Sequence, residues 1–422
     1  MLLESKTNLI VEENNMKYVV ILGDGMADEP IKELGNKTPL QYANKPMIDY
    51  MAKHGEVGIV YTIPEGMTPG SDTANLSVMG YNPEIYYSGR SPLEAVSMGV
   101  KLLDTDVTFR CNLVTLSDEG DYDEKIILDH SSDEISTKEA RELIKAVNEH
   151  FKTKEIEFFP GVSYRHLMLW HKGSVEFDLT PPHDILGKKI TDYLPKGEQK
   201  DIIYKMMRES YNFLRNHPIN INRIEKGLKP ANSIWIWGEG RKPLLPSFEE
   251  KYGLKGSVIS AVDLIKGIGI CAGLDSIDVE GATGNIHTNF IGKAMAAVNE
   301  IKNGKDFVYV HLEAPDESGH RNELDNKVKS IELLDEKVIK VIKEELDLLG
   351  EEYKLMVLPD HPTPIRLRTH TADPVPYLIY QNTKEIFNPK QQYDEIYVSG
   401  TNNCFKKGHE LMNYFLKCKE DE

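Results

Sequence analysis

Two apolar runs near opposite ends of the chain finish in the same way. Tyr18-Val19-Val20-Ile21-Leu22 runs into Gly23-Asp24-Gly25, and Leu355-Met356-Val357-Leu358 runs into Pro359-Asp360-His361. Neither run carries a helical period, so each reads as a buried strand. Pro359 stops the second strand, and the glycines flanking Asp24 let the backbone turn sharply after the first. An acid is therefore left just past the C-terminal end of each strand. In open parallel sheets, ligands collect along that edge. The pattern restricts the chain to α/β architectures.

A third run extends the pattern. Asp306 to Leu312 reads as a strand and is followed by Glu313-Ala314-Pro315-Asp316-Glu317-Ser318-Gly319-His320. Asp316 and His320 have the i, i+4 spacing that puts two side chains on one face of a helical turn. His370 follows His361 closely. Carboxylate oxygens and imidazole nitrogens are donors that Zn²⁺ or Mn²⁺ accepts. Each residue also has a plain alternative: Asp24 as a turn residue, Asp360 as a helix cap, the histidines as ordinary polar side chains. Three buried strands read as each followed directly by an acid, Asp24, Asp316 and Asp360, two of them with a histidine partner, and this favours a metal site.

At 422 residues the chain is long enough for two domains with their own cores. A net charge of −17 argues against nucleic-acid binding, which needs a basic face, but leaves room for small anions in a locally positive pocket. No apolar stretch is long enough to span a membrane. Met1 to Asn15 is polar and acidic, with no apolar core of a signal peptide, and reads as an extension preceding the folded part. Cys111, Cys271, Cys404 and Cys418 show no paired spacing, which points to a reducing, cytoplasmic setting.

Between the strands, Met47 to His54 reads as a helix and Val57 to Thr62 as a strand. The segment Gly66-Met67-Thr68-Pro69-Gly70-Ser71 then leads into a short helix over Asp72 to Met79. Ser71 at that helix N-terminus suits a nucleophile that becomes a phosphoserine, because free N–H groups and the dipole favour negative charge there. It suits an N-cap serine equally. From about Asp104 the texture changes to strands (Asp106 to Leu116, Ile126 to Leu128, Glu155 to Phe159, His166 to His171) with helices over Ser136 to Phe151 and Lys200 to Asn216. That order predicts a separate α+β unit. From about Pro246 the alternation returns: Val258 to Ile268 is strand then helix, Ser276 to Val279 a strand, Phe290 to Asn303 a helix and Leu324 to Leu346 a helix. Val375 to Tyr380 is a strand, and His409 to Leu416 closes the chain as a helix.

These residues carry a resemblance to the alkaline phosphatase superfamily, and within it to the cofactor-independent phosphoglycerate mutases of the archaeal type. The motifs are Gly23-Asp24-Gly25, Pro69-Gly70-Ser71-Asp72-Thr73-Ala74-Asn75, Glu280-Gly281-Ala282-Thr283-Gly284, Asp316 to His320, Pro359-Asp360-His361 and Arg368-Thr369-His370-Thr371, and the resemblance runs from Met16 onward. It implies an alkaline-phosphatase-like α/β core of mostly parallel sheet flanked by helices, split over 16–103 and 246–422, with an α+β cap inserted over 104–245. It implies two divalent ions, Mn²⁺ or Zn²⁺ with Mg²⁺ or Co²⁺ as alternatives. One would be held by Asp316, His320 and His370, the other by Asp24, Ser71, Asp360 and His361. Ser71 would take the phosphoryl group and return it to the other hydroxyl of glycerate. A mutase of this kind needs no organic cofactor. Arg90, Arg110, Arg165, His166 and Lys293 are the candidate substrate-binding residues, since an arginine fork fits carboxylate and phosphate. His130 is a candidate proton relay.

One departure from the resembled family stands out. Its members carry an arginine-rich loop where this chain has Leu128-Asp129-His130-Ser131-Ser132-Asp133. A bacterial subset with a similar loop has been proposed to act as homoserine kinases, which would move phosphate from ATP to an amino-acid alcohol at the same metal site. The expectation is therefore a phosphoglycerate mutase of glycolysis, with a homoserine kinase as the alternative. The substrate is a small phosphorylated or hydroxylated carboxylic acid; the oligomeric state is left open.

Overall fold

Lys17–Gly23 (β1) is buried at every position, as are Phe307–Leu312 (β5) and Tyr353–Leu358 (β6). Strands without a polar face need cover on both sides, and parallel pairing provides it through crossover helices. In this computed structural model, which describes residues 16–416, β1 lies between β5 and β6 and runs parallel to both. The expected extension over 1–15 lies outside the described residues, as does Cys418.

The remaining strands of this sheet are Glu56–Val60 (β2), Gly256–Ile259 (β3), Asp275–Ile277 (β4), Val375–Gln381 (β7) and Cys404–Phe405 (β8). The eight strands lie in the order β4-β3-β5-β1-β6-β7-β2-β8. Only β7 is reversed: it pairs antiparallel with both β6 and β2, and every other pairing is parallel. The register sets Leu22 opposite both His311 and Leu358. The C-terminal ends of β1, β5 and β6 are thus level, and the segments leaving these three strands emerge at one edge of the sheet. Helices Ser71–Val78 (α1), Phe290–Lys302 (α2) and Ala314–His320 (α3) belong to the same unit.

Within the described residues the chain divides into two compact units. One is drawn from the spans Met1–Pro83, Ser247–Val262 and Gly273–Glu422, the other from Glu84–Pro246 and Asp263–Ala272. The second begins earlier than the texture change near Asp104 and takes in the helix Asp263–Cys271. Its five-stranded sheet is antiparallel and built on the long strand Asp106–Leu116. Ile127–Asp129, Arg165–His171 and Ser233–Arg241 all pair with that strand, and Ile156–Phe159 pairs with Arg165–His171. The amphipathic helices Thr137–Phe151 and Lys200–Leu214 bury Leu143, Ile144, Val147, Ile203, Met207 and Leu214 in the same apolar core as the sheet.

Three local expectations are corrected. No strand was expected over Ser233–Arg241, although Ile234 to Trp237 are strand-favouring residues, and it forms an extended pairing with Asp106–Leu116. The helix expected over Leu324 to Leu346 is helical but interrupted by a π turn at Asp335–Ile339. There the Asp335 carboxylate accepts the Met47 and Ile48 N–H groups at the start of the helix Pro46–His54, at 3.2 and 2.6 Å. Asp316 does not directly follow its strand. Glu313 does, and Asp316 sits one turn later in α3. Among the described residues no helix is long and apolar enough to cross a membrane.

Candidate metal and phosphoryl-transfer site

Asp24 follows β1 and Asp360 follows β6, and the loops behind them hold both carboxylates in fixed orientation. The N–H of Gly25 donates to Asp360 Oδ1 at 3.1 Å and the N–H of His361 donates to the same oxygen at 2.9 Å. Gly25 has φ +60°, a left-handed turn that glycine adopts without penalty. A Cβ there would lie 2.6 Å from Asp316 Oδ1 and 2.8 Å from its Cα, so the turn must be bare for α3 to approach. Asp316 in turn receives the Thr363 hydroxyl on Oδ1.

The histidines converge on the same place. His361 is fully buried; its Nδ1–H donates to Thr363 Oγ1 at 3.3 Å, which leaves Nε2 as a lone pair. That Nε2 lies 3.2 Å from the Ser71 hydroxyl, 3.4 Å from Asp360 Oδ2 and 3.6 Å from Asp24 Oδ1. His320 donates through Nδ1 to the Arg368 carbonyl at 2.9 Å, which turns its Nε2 toward Asp316 Oδ2 at 3.2 Å. His370 Nε2 stands 2.9 Å from His320 Nε2 and 3.4 Å from Asp316 Oδ1. All seven expected ligands, Ser71 included, are thus assembled at the strand edge of the first unit.

Two groups of three have ligand atoms within 4.8 Å of one another: Asp316 with His361 and His370, and Asp24 with Asp360 and His361. His361 belongs to both. The donor set fits divalent cations on three counts. Asp24 Oδ1 is buried with no hydrogen-bond partner. The facing Nε2 atoms of His320 and His370 need a proton or a cation between them. The carboxylates also crowd each other: burial first, then the charges of Asp360 and Asp316, push Asp24 well above the usual carboxylate range. Burial would raise Asp316 too, but hydrogen bonds from His320 and His370 outweigh it and hold Asp316 well below that range. The bond to Asp316 lifts His320 to about 9, while burial lowers His361.

Sequence reasoning missed several supporting residues. His311, inside β5 and fully buried, donates through Nε2 to Asp24 Oδ2 at 3.1 Å. Its Nδ1 is 3.2 Å from the Ser260 hydroxyl. Burial lowers its pKa to about 3, so it is a neutral donor with a fixed tautomer. Lys327, also fully buried, ties the two acid-bearing loops together, donating to the carbonyls of Ala27 and Thr363 and to Asp28 Oδ2. A histidine in the middle of an apolar strand is the one signal that could have flagged His311, since a buried imidazole needs partners.

The expected substrate-binding residues divide. In the second unit, Glu94 accepts from both Arg90 and Arg110, at 2.9 and 3.1 Å, which holds the two guanidiniums side by side. Arg110 also lies over the Trp237 ring at 4.4 Å. Burial lowers the pKa of Arg110, and the Arg90 and Arg165 charges act on it in the same direction. His130 is half-buried and meets the edge of Tyr164 with ring centroids 5.5 Å apart. His183, which sequence reasoning did not single out, lies 6.2 Å from His130 and 5.4 Å from Trp237. His166 is buried, and its Nδ1 accepts the Gly161 N–H at 3.0 Å, holding the turn before its strand. Lys293 belongs to the first unit, where it is fully buried on α2 and donates to the His311 carbonyl at 3.0 Å.

A largely parallel sheet with carboxylates, imidazoles and a serine hydroxyl gathered past its strand ends defines an α/β protein with groups that could hold metal ions beside a hydroxyl. Residues 52–220 match the family profile of 2,3-bisphosphoglycerate-independent phosphoglycerate mutase. The chain is 49% identical over 401 residues to a Geobacter sulfurreducens protein named a probable mutase of that kind, covering 95% of this chain and all of the relative. It is 47% identical over 405 residues to the Methanosarcina barkeri protein of that name, covering 96% and 100%. A solved Pyrococcus horikoshii protein superposes with a TM-score of 0.79 at 29% identity, over 96% of this chain and 99% of that one. The cofactor-independent phosphoglycerate mutase of Thermoplasma acidophilum shares the fold, with a TM-score of 0.65 at 24% identity over 95% and 99%. The chain belongs to the 2,3-bisphosphoglycerate-independent phosphoglycerate mutase family.

Proposed function

We propose that this protein interconverts 2-phosphoglycerate and 3-phosphoglycerate through a phosphoserine at Ser71. The observation that carries the reading is the Ser71 hydroxyl, 3.2 Å from His361 Nε2 and beside two groups of metal-ligand side chains. Near-half identity over almost the full chain to proteins named as such mutases supports the substrate.

Asp316, His320 and His370 would hold one divalent cation, and Asp24, Ser71, Asp360 and His361 a second; cations bound there, Mn²⁺ or Zn²⁺ among them, supply neutralising charge for the phosphoryl oxygens and favour the ionised serine. Ser71 Oγ forms a bond to phosphorus as the bond from phosphorus to the substrate oxygen breaks. The second hydroxyl of the same glycerate then attacks the phosphoserine and frees Ser71, so no phosphate is released. Ser71 opens α1, and the N-terminal N–H groups of that helix favour the negative charge of the phosphoserine. We assign Arg90, Arg110 and Arg165 of the second unit to the anionic groups of the substrate, with His130 as a further candidate. Lys293 and His166 act from buried positions, through the His311 carbonyl and the Gly161 turn.

The test sets metal-reconstituted protein against 3-phosphoglycerate, and separately against homoserine with ATP. Formation of 2-phosphoglycerate without added nucleotide and without phosphate release supports the proposal. Nucleotide consumption tied to homoserine, with no turnover of 3-phosphoglycerate, overturns it in favour of a kinase.

A further inference from the structure

Asn75 lies one helical turn after Ser71 on α1 and is fully buried. Its side-chain amide donates in two directions: to the Ser71 carbonyl at 2.8 Å and to Asp360 Oδ2 at 2.9 Å. Its Oδ1 accepts the hydroxyl of Tyr309 at 2.7 Å. Tyr309 sits in the middle of β5 and is also fully buried. The two N–H donors and the oxygen of the amide are thereby all used.

These partners permit one orientation. Turned over, the amide would set its oxygen against a carbonyl and a carboxylate, while its NH₂ faced the tyrosine hydroxyl. In that state the amide would lose its bonds to the Ser71 carbonyl and to Asp360 and meet two like partial charges there, and the Tyr309 hydroxyl proton would lose the oxygen that accepts it. Asn75 is also neutral, so it binds a carboxylate without bringing a competing cation to the site.

We propose that Asn75 is a positioning residue that sets the Ser71 turn against the Asp360 carboxylate, and that the Tyr309 hydroxyl locks its amide in the working orientation. The proposal rests on the reading of Ser71 as the group that takes the phosphoryl. It assigns Tyr309 and Asn75 no contact with substrate. What they control is the placement of a nucleophile, for which a displacement of about 1 Å can lower a rate about 10²-fold.

The experiment is a double-mutant cycle on the full-length, metal-loaded protein, with kcat and KM for 3-phosphoglycerate, metal affinity and thermal unfolding measured for each variant. Tyr309→Phe keeps the buried ring and removes only the donor; a roughly 10-fold fall in kcat with KM unchanged is expected. Asn75→Ala is expected to lower kcat about 10²-fold. If Tyr309 acts through Asn75, then Tyr309→Phe added to Asn75→Ala lowers kcat no further. A purely structural tyrosine would instead lower stability in both backgrounds and leave kcat per folded molecule alone. Wild-type kcat in Tyr309→Phe, or full additivity of the two changes, overturns the proposal. Should Asn75→Ala fail to fold, Tyr309→Phe alone still decides. Turnover surviving in Ser71→Ala would instead mark failure of the nucleophile assignment. Inactive Ser71→Ala beside unimpaired Tyr309→Phe and Asn75→Ala would sink only this inference.

Discussion

His311 holds Asp24 by one oxygen only: its Nε2 is 3.1 Å from Oδ2, while Oδ1 of the same carboxylate is buried without a hydrogen-bond partner. The imidazole therefore decides which oxygen is left for a cation. The Asp24 carboxylate, as acceptor, keeps the proton on Nε2, which leaves Nδ1 to accept from the Ser260 hydroxyl. Outer partners of this kind fix the orientation of a ligand. His311→Gln is expected to weaken metal binding about 10- to 100-fold. Turnover should return when metal is supplied in excess. Metal titration against a competing chelator, read beside activity, checks both parts; an unchanged affinity would remove His311 from the site's support.

Gly25 is where the loop of one acid meets the helix of another. Its φ of +60° and the 2.6 Å approach of Asp316 Oδ1 to a Cβ position leave no room for a side chain. In Gly25→Ala the left-handed backbone alone costs about 1–2 kcal/mol. The clash with the Asp316 backbone, 2.8 Å from that Cβ at its Cα, forces Asp316 out of register with Asp360. Loss of both metal binding and turnover is expected, with a lower melting temperature. Gly35, where a Cβ meets nothing within 4 Å, is the control: Gly35→Ala has a left-handed φ of +69° but should leave metal affinity intact.

Glu395 gives the fold a pH dependence separate from the candidate metal ligands. Its inward-turned carboxylate accepts the Asp28 N–H at 3.0 Å and the Thr38 hydroxyl at 2.6 Å, and burial raises its pKa from 4.5 to about 7. Between those values the folded chain keeps a proton that the unfolded chain gives up. Stability contributed by this group is therefore present at low pH, falls as pH rises from 4.5 to about 7, and stays low above that. Glu395→Gln removes the slope and should gain on the order of 2 kcal/mol over the wild type at pH 8 relative to pH 5. Denaturant unfolding at the two pH values measures it; parallel pH profiles would contradict the assignment.

The strand ends were legible because an apolar run without helical period, stopped by glycine or proline before an acid, is a strong local pattern. It located Asp24 and Asp360, and the i, i+4 spacing located Asp316 with His320. The pattern misplaced Asp316 relative to its strand, since Glu313 is the acid that directly follows Leu312 and Asp316 stands a turn beyond it. Chain order could not show the roles of Asn75, Tyr309 and Thr363. Each lies inside a helix, strand or loop whose local pattern it does not alter, and acquires its role only through partners distant in the chain. Ser233–Arg241 was missed for another reason. Ile234 to Trp237 favour a strand, but the glycines and charges of Gly238 to Arg241 break the pattern, and the pairing with Asp106–Leu116 carries the strand through them.

Acids and imidazoles from separate segments meet around the Ser71 hydroxyl, the oxygen we propose as carrier of the phosphoryl group. Rapid quenching of the metal-loaded protein with ³²P-labelled 3-phosphoglycerate, followed by peptide mapping, tests it most directly. The label is expected on the peptide holding Ser71 and should vanish in Ser71→Ala, with turnover falling by about four orders of magnitude or more while metal remains bound. Label on any other residue, or turnover surviving in Ser71→Ala, would contradict the account.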